Sequence, residues 1–401
     1  MIGRREVIAA LGGAAIAMPL AAAARAQGVR NGTPPTANPS LYWQLTQTTR
    51  SFTDSALLTR WGSYRNGPGE TATLAWNDAS QIYAEAAMVP GEASAGAHLM
   101  ATYNFMKTFS ASGNAITGYC PSAAIDGGKL DRSIQHVDDN AFAGTVYLEA
   151  AEVVTSRDSA TLAAAADLLA FWLMHSDLWD PTFGGGFWRT TTRPFKPTHA
   201  NGLALQLFLR LYLGSGKREY LDKARMTYDW VRGTLFDRDG LYAWKTSSSG
   251  IDRTKFAYDQ AIMIEAELLM HRATQHLTHA THLKRAQSLA KALKPALWDP
   301  IFGGFLLNSS QPLRSPVFCG WVSQSLIRLY EADRNTAWLD DAQANIDVLN
   351  LFLRNPADGG YYSMCKVDGS ERSTLRQCVD QSWMQRTQAL LSRYRGAPGG
   401  K

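Results

Sequence analysis

Trp179-Asp180-Pro181-Thr182-Phe183-Gly184-Gly185 returns further along the chain, nearly unchanged, as Trp298-Asp299-Pro300-Ile301-Phe302-Gly303-Gly304. Asp-Pro followed by paired glycines is a turn signal, and a turn written twice in one chain implies a repeated unit. Glycine loops at Gly62, Gly118, Gly184, Gly240, Gly303 and Gly359 extend the series, spaced about 55 to 65 residues apart. Between successive loops lie two helical runs. The reading predicts helices near 39–60, 71–88, 92–110, 137–155, 158–177, 199–213, 218–235, 256–273, 278–297, 316–331, 336–354 and 378–393. Leu203, Leu207, Phe208 and Leu211 follow helical spacing, as do Ile262, Ile264, Leu268 and Leu269. The repeated unit is therefore a helical hairpin.

Six hairpins build either an open α-solenoid or a closed ring. Single helices flank the series at both ends, as the halves of one split hairpin would. The chain also ends without the polar capping repeat that an open solenoid needs. The expected architecture is all-α, an (α/α)6 toroid, with residues 39–395 as a single catalytic domain.

Composition narrows the function classes. The 401 residues are 45% hydrophobic, include 12 Trp and carry a net charge of +5. No basic block is present, so nucleic-acid binding is not expected. Arg4-Arg5, an apolar run from Val7 to Ala24, and Ala24-Arg25-Ala26 read as a twin-arginine export signal over residues 1–26. Residues 27–38 are expected to form a disordered linker, and the product to be periplasmic or secreted. Loss of Arg4, Arg5, Arg25 and Glu6 lowers the charge from +5 to +3. No stable membrane span is expected after cleavage. Cys120, Cys319, Cys365 and Cys378 lack metal-ligand spacing; they are buried thiols, or Cys365 pairs with Cys378. No metal is expected from ligand spacing and no cofactor motif appears; Gly184-Gly185-Gly186 lacks the strand that precedes a phosphate loop.

Chemistry concentrates at Gln135-His136-Val137-Asp138-Asp139-Asn140-Ala141-Phe142. Two adjacent carboxylates fit a helix start, where exposed amides and the helix dipole favour negative charge. Three readings compete: a helix cap, a solvated charge pair, and a catalytic pair. In a toroid every glycine loop leads into an inner helix, so the inner-helix N-termini converge on one end of the ring. Candidate substrate-binding residues there are Trp76, Asn77, Asn140, Trp188, Asn201, Tyr258, Asp259, Gln260, Trp321 and Trp383. Amides suit sugar hydroxyls and aromatic faces suit their C–H surfaces. His136 reads as a surface residue and His199 as a helix cap. Adjacent acids on a helix start can approach to about 5 Å, which favours a retaining over an inverting glycosidase. Burial and mutual repulsion would then raise one pKa and leave the other acid ionised.

These residues resemble glycoside hydrolase family 76, the endo-α-1,6-mannanases, over roughly residues 70–395. The resemblance rests on Asp138-Asp139 with the helix to Val154, on Phe183-Gly184-Gly185-Gly186-Phe187-Trp188, and on Lys196 with Asn201. It extends to the run Tyr220–Trp230, to Tyr258-Asp259-Gln260-Ala261 and to Phe318-Cys319-Gly320. It implies a retaining hydrolase of α-1,6-mannan-type polysaccharide, with Asp138 as nucleophile and Asp139 as acid/base. Phe142, Pro197, Asp259 and Cys319 depart from the family's usual Trp, Asn, Asn and Lys, which leaves the exact glycan open. A transglycosidase would share every residue named. A non-catalytic glycan-binding protein would need the aromatics and amides alone. An isomerase like the N-acylglucosamine epimerases would share the ring but rely on histidines.

Overall fold

The computed structural model describes residues 39–111, 118–274 and 281–395. The export segment and linker expected over 1–38 lie outside the described residues. Among the described residues there are twelve α-helices: α1 Pro39–Ala56, α2 Ala75–Met88, α3 Ser94–Met106, α4 Val137–Ala151, α5 Ser156–His175, α6 Thr198–Ser215, α7 Arg218–Leu235, α8 Ala257–Thr274, α9 Thr281–Leu297, α10 Pro316–Asp333, α11 Thr336–Leu353 and α12 Cys378–Ser392. The even-numbered helices pack side by side in order, and α12 packs against α2, so the inner circle closes. Each odd-numbered helix packs outside an inner partner, and α1 pairs with α12 as the split hairpin requires. The architecture is the expected (α/α)6 toroid.

Burial separates the two circles. α4 and α6 are buried on nearly every side, as helices enclosed by neighbours must be. α7 buries Tyr220, Leu221, Ala224, Thr227, Tyr228 and Val231 along one stripe and turns Arg218 and Asp222 to solvent. Close packing between inner helices depends on small residues. A Cβ at Gly202 would lie 2.5 Å from Ile262 Cγ2 on the next inner helix.

Repeated local devices build the loops. Five of the six counted glycines, Gly62, Gly184, Gly240, Gly303 and Gly359, adopt φ between +76° and +86°, a region that favours glycine. An antiparallel bridge crosses each loop, from Leu58–Tyr64 through Trp179–Phe187 and Trp298–Phe305 to Arg354–Tyr361. Asp180 Oδ1 accepts the Thr182 amide and Asp299 Oδ1 the Ile301 amide, which explains the shared Asp-Pro-x text. Two residues before the inner helix, a cation then reaches the loop aspartate. The pairs are Lys196–Asp180, Lys255–Asp237, Arg314–Asp299 and Arg376–Asp358.

Each unit is also stitched to its neighbour. The first amide of α2 donates to the Pro121 carbonyl, that of α4 to Arg189, α6 to Trp244, and α8 to Leu307. α10 begins with Pro316, which has no N–H to give, and uses instead a two-stranded ribbon, β6 Leu313–Arg314 with β7 Cys365–Lys366. (β1 is Ala72–Leu74, β2 Ser122–Ala124, β3 Lys196–Pro197, β4 Lys245–Ser247 and β5 Gly250–Asp252.) The first amide of α12 donates to Asn66 of the first loop, which completes the circle. All four cysteines are free and buried, so the alternative Cys365–Cys378 bond is not formed. Among the described residues no helix is long and apolar enough to cross a membrane.

Candidate active site

Asp138 and Asp139 occupy the second and third positions of α4, and both are buried. One oxygen of each, together with a ring nitrogen of His136, lies within 4.8 Å of the others. The partners that hold them are side chains. Asp138 Oδ2 accepts from Arg189 Nε at 3.1 Å and lies 3.4 Å from His199 Nε2. Asp139 Oδ2 lies 3.0 Å from His136 Nδ1. The loop after Trp188 is stitched to the start of α4 by Val137 N–H to Arg189 O and by Thr191 N–H to Gln135 O. That stitching delivers the Arg189 guanidinium to Asp138.

The two acids therefore differ in their surroundings. Burial alone would raise Asp138, but the Arg189 guanidinium, His199 and His136 outweigh it and hold the carboxyl well below the usual range. The asymmetry comes from this cationic contact rather than from the mutual repulsion expected of two adjacent acids. Burial works against a charged His136, yet Asp139 raises its pKa overall. His136 is thus a partner of the acid pair, not a surface residue. His199 is likewise not a cap: its Nδ1 lies 3.3 Å from Asp259 Oδ1 on α8. His136, Asp138 and Asp139 have the separation of a cation cluster. The Arg189 charge already inside it argues against assigning a metal there.

Of the residues read from the sequence, Asp138, Asp139, Asp259 and Tyr258 are brought together, with the Tyr258 ring 5.5 Å from that of His199. The amides are corrected. Asn140 accepts the Tyr119 amide at 2.6 Å and donates to the Tyr119 and His136 carbonyls. Asn201 does the same for Phe187 and Pro197, and Gln260 for Tyr242 and Phe256. Each side chain is spent on its own glycine loop and is fully buried, so none is free to grip a sugar. Asn77 is buried too and donates to Asn66. Trp188 is fixed inside the loop by a 2.6 Å bond from its Nε1 to Asp180 and by Lys196 over its ring.

Trp321 and Trp383 are also corrected. They lie a turn further along α10 and α12, with centroids 4.3 Å apart, and contact Phe142 and Trp76 or Tyr83. Together they form an aromatic floor below the acids, of which only Trp76 is partly exposed.

A second set of aromatics escaped the sequence reading. Phe195, Trp244, Phe256, Tyr258 and Phe318 form an unbroken series, each ring centroid 5.0 to 5.8 Å from the next. All five are partly exposed. Lys245 Nζ stands 3.7 Å from the centroid of the Trp244 ring. The series runs along β3–β4 and the starts of α8 and α10, and meets the acid pair through Arg189 and His199. A wall of partly exposed rings beside two carboxylates suits a saccharide.

Residues 129–312 match the profile of glycosyl hydrolase family 76. Over this stretch, a little under half of its length, the chain is similar to that family. It is a glycosidase. No curated protein sequence matches the chain. Among solved structures, a GH76 α-mannanase from Bacteroides thetaiotaomicron superposes with a TM-score of 0.76 at 19% identity, over 89% of this chain and 98% of that one. An inactive variant of the GH76A α-1,6-mannanase of Salegentibacter sp., with two consecutive aspartates replaced and α-1,6-mannotriose bound, gives 0.69 at 19% identity, over 87% and 99%. A sugar epimerase from a ruminal bacterium gives 0.71 at 12% identity, over 88% and 99%. At these identities the likeness is one of fold, and the ring carries more than one chemistry.

Proposed function

We propose that this glycosidase belongs to family 76 and is a retaining, endo-acting hydrolase of α-1,6-mannan-type polysaccharide. The observation that carries the reading is the unequal pair. The two carboxyls approach within 4.8 Å, and only Asp138 bears the Arg189 contact. That spacing fits direct attack at the anomeric carbon and is too short for an intervening water. Ionised Asp138 forms a bond to the anomeric carbon as the glycosidic C–O bond breaks, and Asp139 gives its proton to the departing oxygen. Asp139 then takes a proton from water, whose oxygen attacks the anomeric carbon and releases Asp138. The anomeric configuration is inverted twice and so retained.

Support for mannan comes from the similar enzymes, one of which binds α-1,6-mannotriose. Support for endo action comes from the partly exposed aromatic wall, which holds more rings than a single sugar can cover. The test is a polysaccharide panel read by product chromatography, with NMR of the first-formed anomer. The expected result is α-1,6-mannan cut to mixed oligosaccharides with the α-anomer first. Asp138→Asn and Asp139→Asn each lose activity by orders of magnitude while helical circular dichroism persists. An inverted product, or either variant within about tenfold of the parent, would overturn the reading. Longer products than substrate would mark a transglycosidase. Residues 1–26 complete the proposal as a twin-arginine export signal; an Arg4→Lys, Arg5→Lys double variant should remain inside the cell.

A further inference from the structure

His199 stands between two buried carboxylates, one on each neighbouring inner helix. Its Nε2 lies 3.4 Å from Asp138 Oδ2, and its Nδ1 lies 3.3 Å from Asp259 Oδ1. Asp259 is fully buried, and among the described residues it is His199, through its ring and its backbone amide, that faces the carboxyl. The Tyr258 ring closes one side of the imidazole.

A neutral imidazole has a single N–H, and its other nitrogen is an acceptor. Facing an ionised carboxylate, that acceptor would set a lone pair against a negative oxygen in a site sealed from water. The arrangement is satisfied in two ways. Either both ring nitrogens carry protons, or the Nε2 proton faces Asp138 while Asp259 carries the second proton and meets Nδ1. Both forms hold the same number of protons. In both, a hydrogen is kept between His199 and Asp138.

We propose that Asp259 is a positioning residue for the hydrolysis, holding a second proton at His199 so that His199 Nε2–H always points at Asp138 and keeps the nucleophile ionised. This rests on the assignment of Asp138 as nucleophile. Burial pushes Asp259 up to about 6 even though His199 opposes it, which fits a carboxyl that shares a proton near neutrality. His199 is itself raised: burial disfavours its charge, but the bonds to Asp138 and Asp259 prevail. The other charged or titratable groups around this chain are Arg189, His136 and Asp139 on the Asp138 side and Tyr258 on the Asp259 side. Arg189 shares Asp138 with His199 and stays charged throughout, so the adjustable proton belongs to the His199–Asp259 half.

The test is NMR of the full chain with isotope-labelled histidine, in which the His199 signal is assigned by its loss in His199→Gln. In the parent protein the ring should carry hydrogen on Nε2, alone or with Nδ1 protonated as well, at neutral pH, and Asp259→Asn should lower its titration by at least about one pH unit. In parallel, the alkaline limb of kcat/KM on α-1,6-mannan should move down by the same amount in Asp259→Asn, with KM little changed. A parent His199 whose Nε2 is bare at neutral pH overturns the proposal, and so does an Asp259→Asn protein in which neither titration moves. The NMR needs no substrate. Failure to cut mannan therefore refutes the substrate assignment alone, whereas an unmoved His199 refutes this one.

Discussion

Replacing Arg189 with Gln probes the asymmetry on which the mechanism depends. The side chain keeps its polarity and much of its length, but the charge 3.1 Å from Asp138 Oδ2 is removed. A hydrogen bond to a charged group is worth about 1.5 to 3 kcal/mol. If Asp138 must be ionised to attack, that loss corresponds to about a 10- to 150-fold fall in kcat/KM. The direction with pH follows from the sign of the shift. Arg189 holds Asp138 below the ordinary carboxylate range, so its removal lets the acid take up a proton at higher pH. The acid limb of kcat/KM should therefore move to higher pH, and activity should recover partly as pH rises. Stability follows the same linkage. A carboxyl depressed in the fold contributes stability above its unfolded value, near 3.9, and loses it as pH falls through the folded value. The stability gap between parent and variant should accordingly narrow below about pH 4. Arg189→Lys, which restores charge without the planar fork, should recover only part of the rate. The assay is steady-state hydrolysis of α-1,6-mannooligosaccharides against pH, with thermal unfolding on the same samples. An acid limb that stays in place, with kcat/KM within about threefold of the parent, would show that Arg189 does not set the charge of Asp138.

Three further substitutions separate fold from site. Asn201→Ala should cost about 2 to 5 kcal/mol in urea unfolding, because it strands the buried Phe187 amide and carbonyl and the Pro197 carbonyl. Glu149→Gln should cost about 3 to 5 kcal/mol, since Glu149 accepts from Arg210, Arg328 and Arg386 inside the ring. Burial opposes its charge but the three guanidiniums hold it far below the ordinary range. Its contribution is thus lost only on strong acidification, and the variant's stability should depend less on pH there. Trp244→Ala should leave the fold intact and raise KM for long oligosaccharides by about fivefold, the equivalent of roughly 1 kcal/mol for one ring face. Equal effects on long and short substrates would remove Trp244 from the sugar-binding wall.

The helices were legible because their periodicity and the glycine loops agree. α7 begins and ends where the spacing puts it, and the largest discrepancies fall at strands and loops such as β1. The acid pair was legible too, but its partners were not. Arg189 follows Trp188 in a loop, and nothing in its neighbourhood says which way a guanidinium will point. His199 and Asp259 lie sixty positions apart in sequence and meet only because α6 and α8 are adjacent. Trp321 and Trp383 were placed at the rim even though the expected starts of α10 and α12, 316 and 378, are the observed ones. Counted from Pro316 and Cys378 they occupy the sixth position, the same as Phe142 in α4, and that position faces the axis below the site.

The repeat itself holds the signal that separates structure from function. At the fourth position of the inner helices stand Asp78, Asn140, Asn201, Gln260, Cys319 and Gln381. Five of these accept an amide from the residue that follows their glycine loop. Where Cys319 interrupts the series, Asn345 of the outer helix α11 takes over and accepts the Phe305 amide. A residue type that recurs around a ring does a job every unit needs, which is holding its own loop. A catalytic site in a single chain has no such symmetry. The second and third positions read Trp76-Asn77, Asp138-Asp139, His199-Ala200, Tyr258-Asp259, Val317-Phe318 and Val379-Asp380, and no two pairs are alike. The adjacent acids occur once, and the histidine and third carboxylate that face them lie in the next two units. Departure from the repeat, more than residue chemistry alone, marks the side chains that act on substrate, and it predicts that Asn140, Asn201 and Gln260 report on stability where Asp138, His199 and Asp259 report on rate.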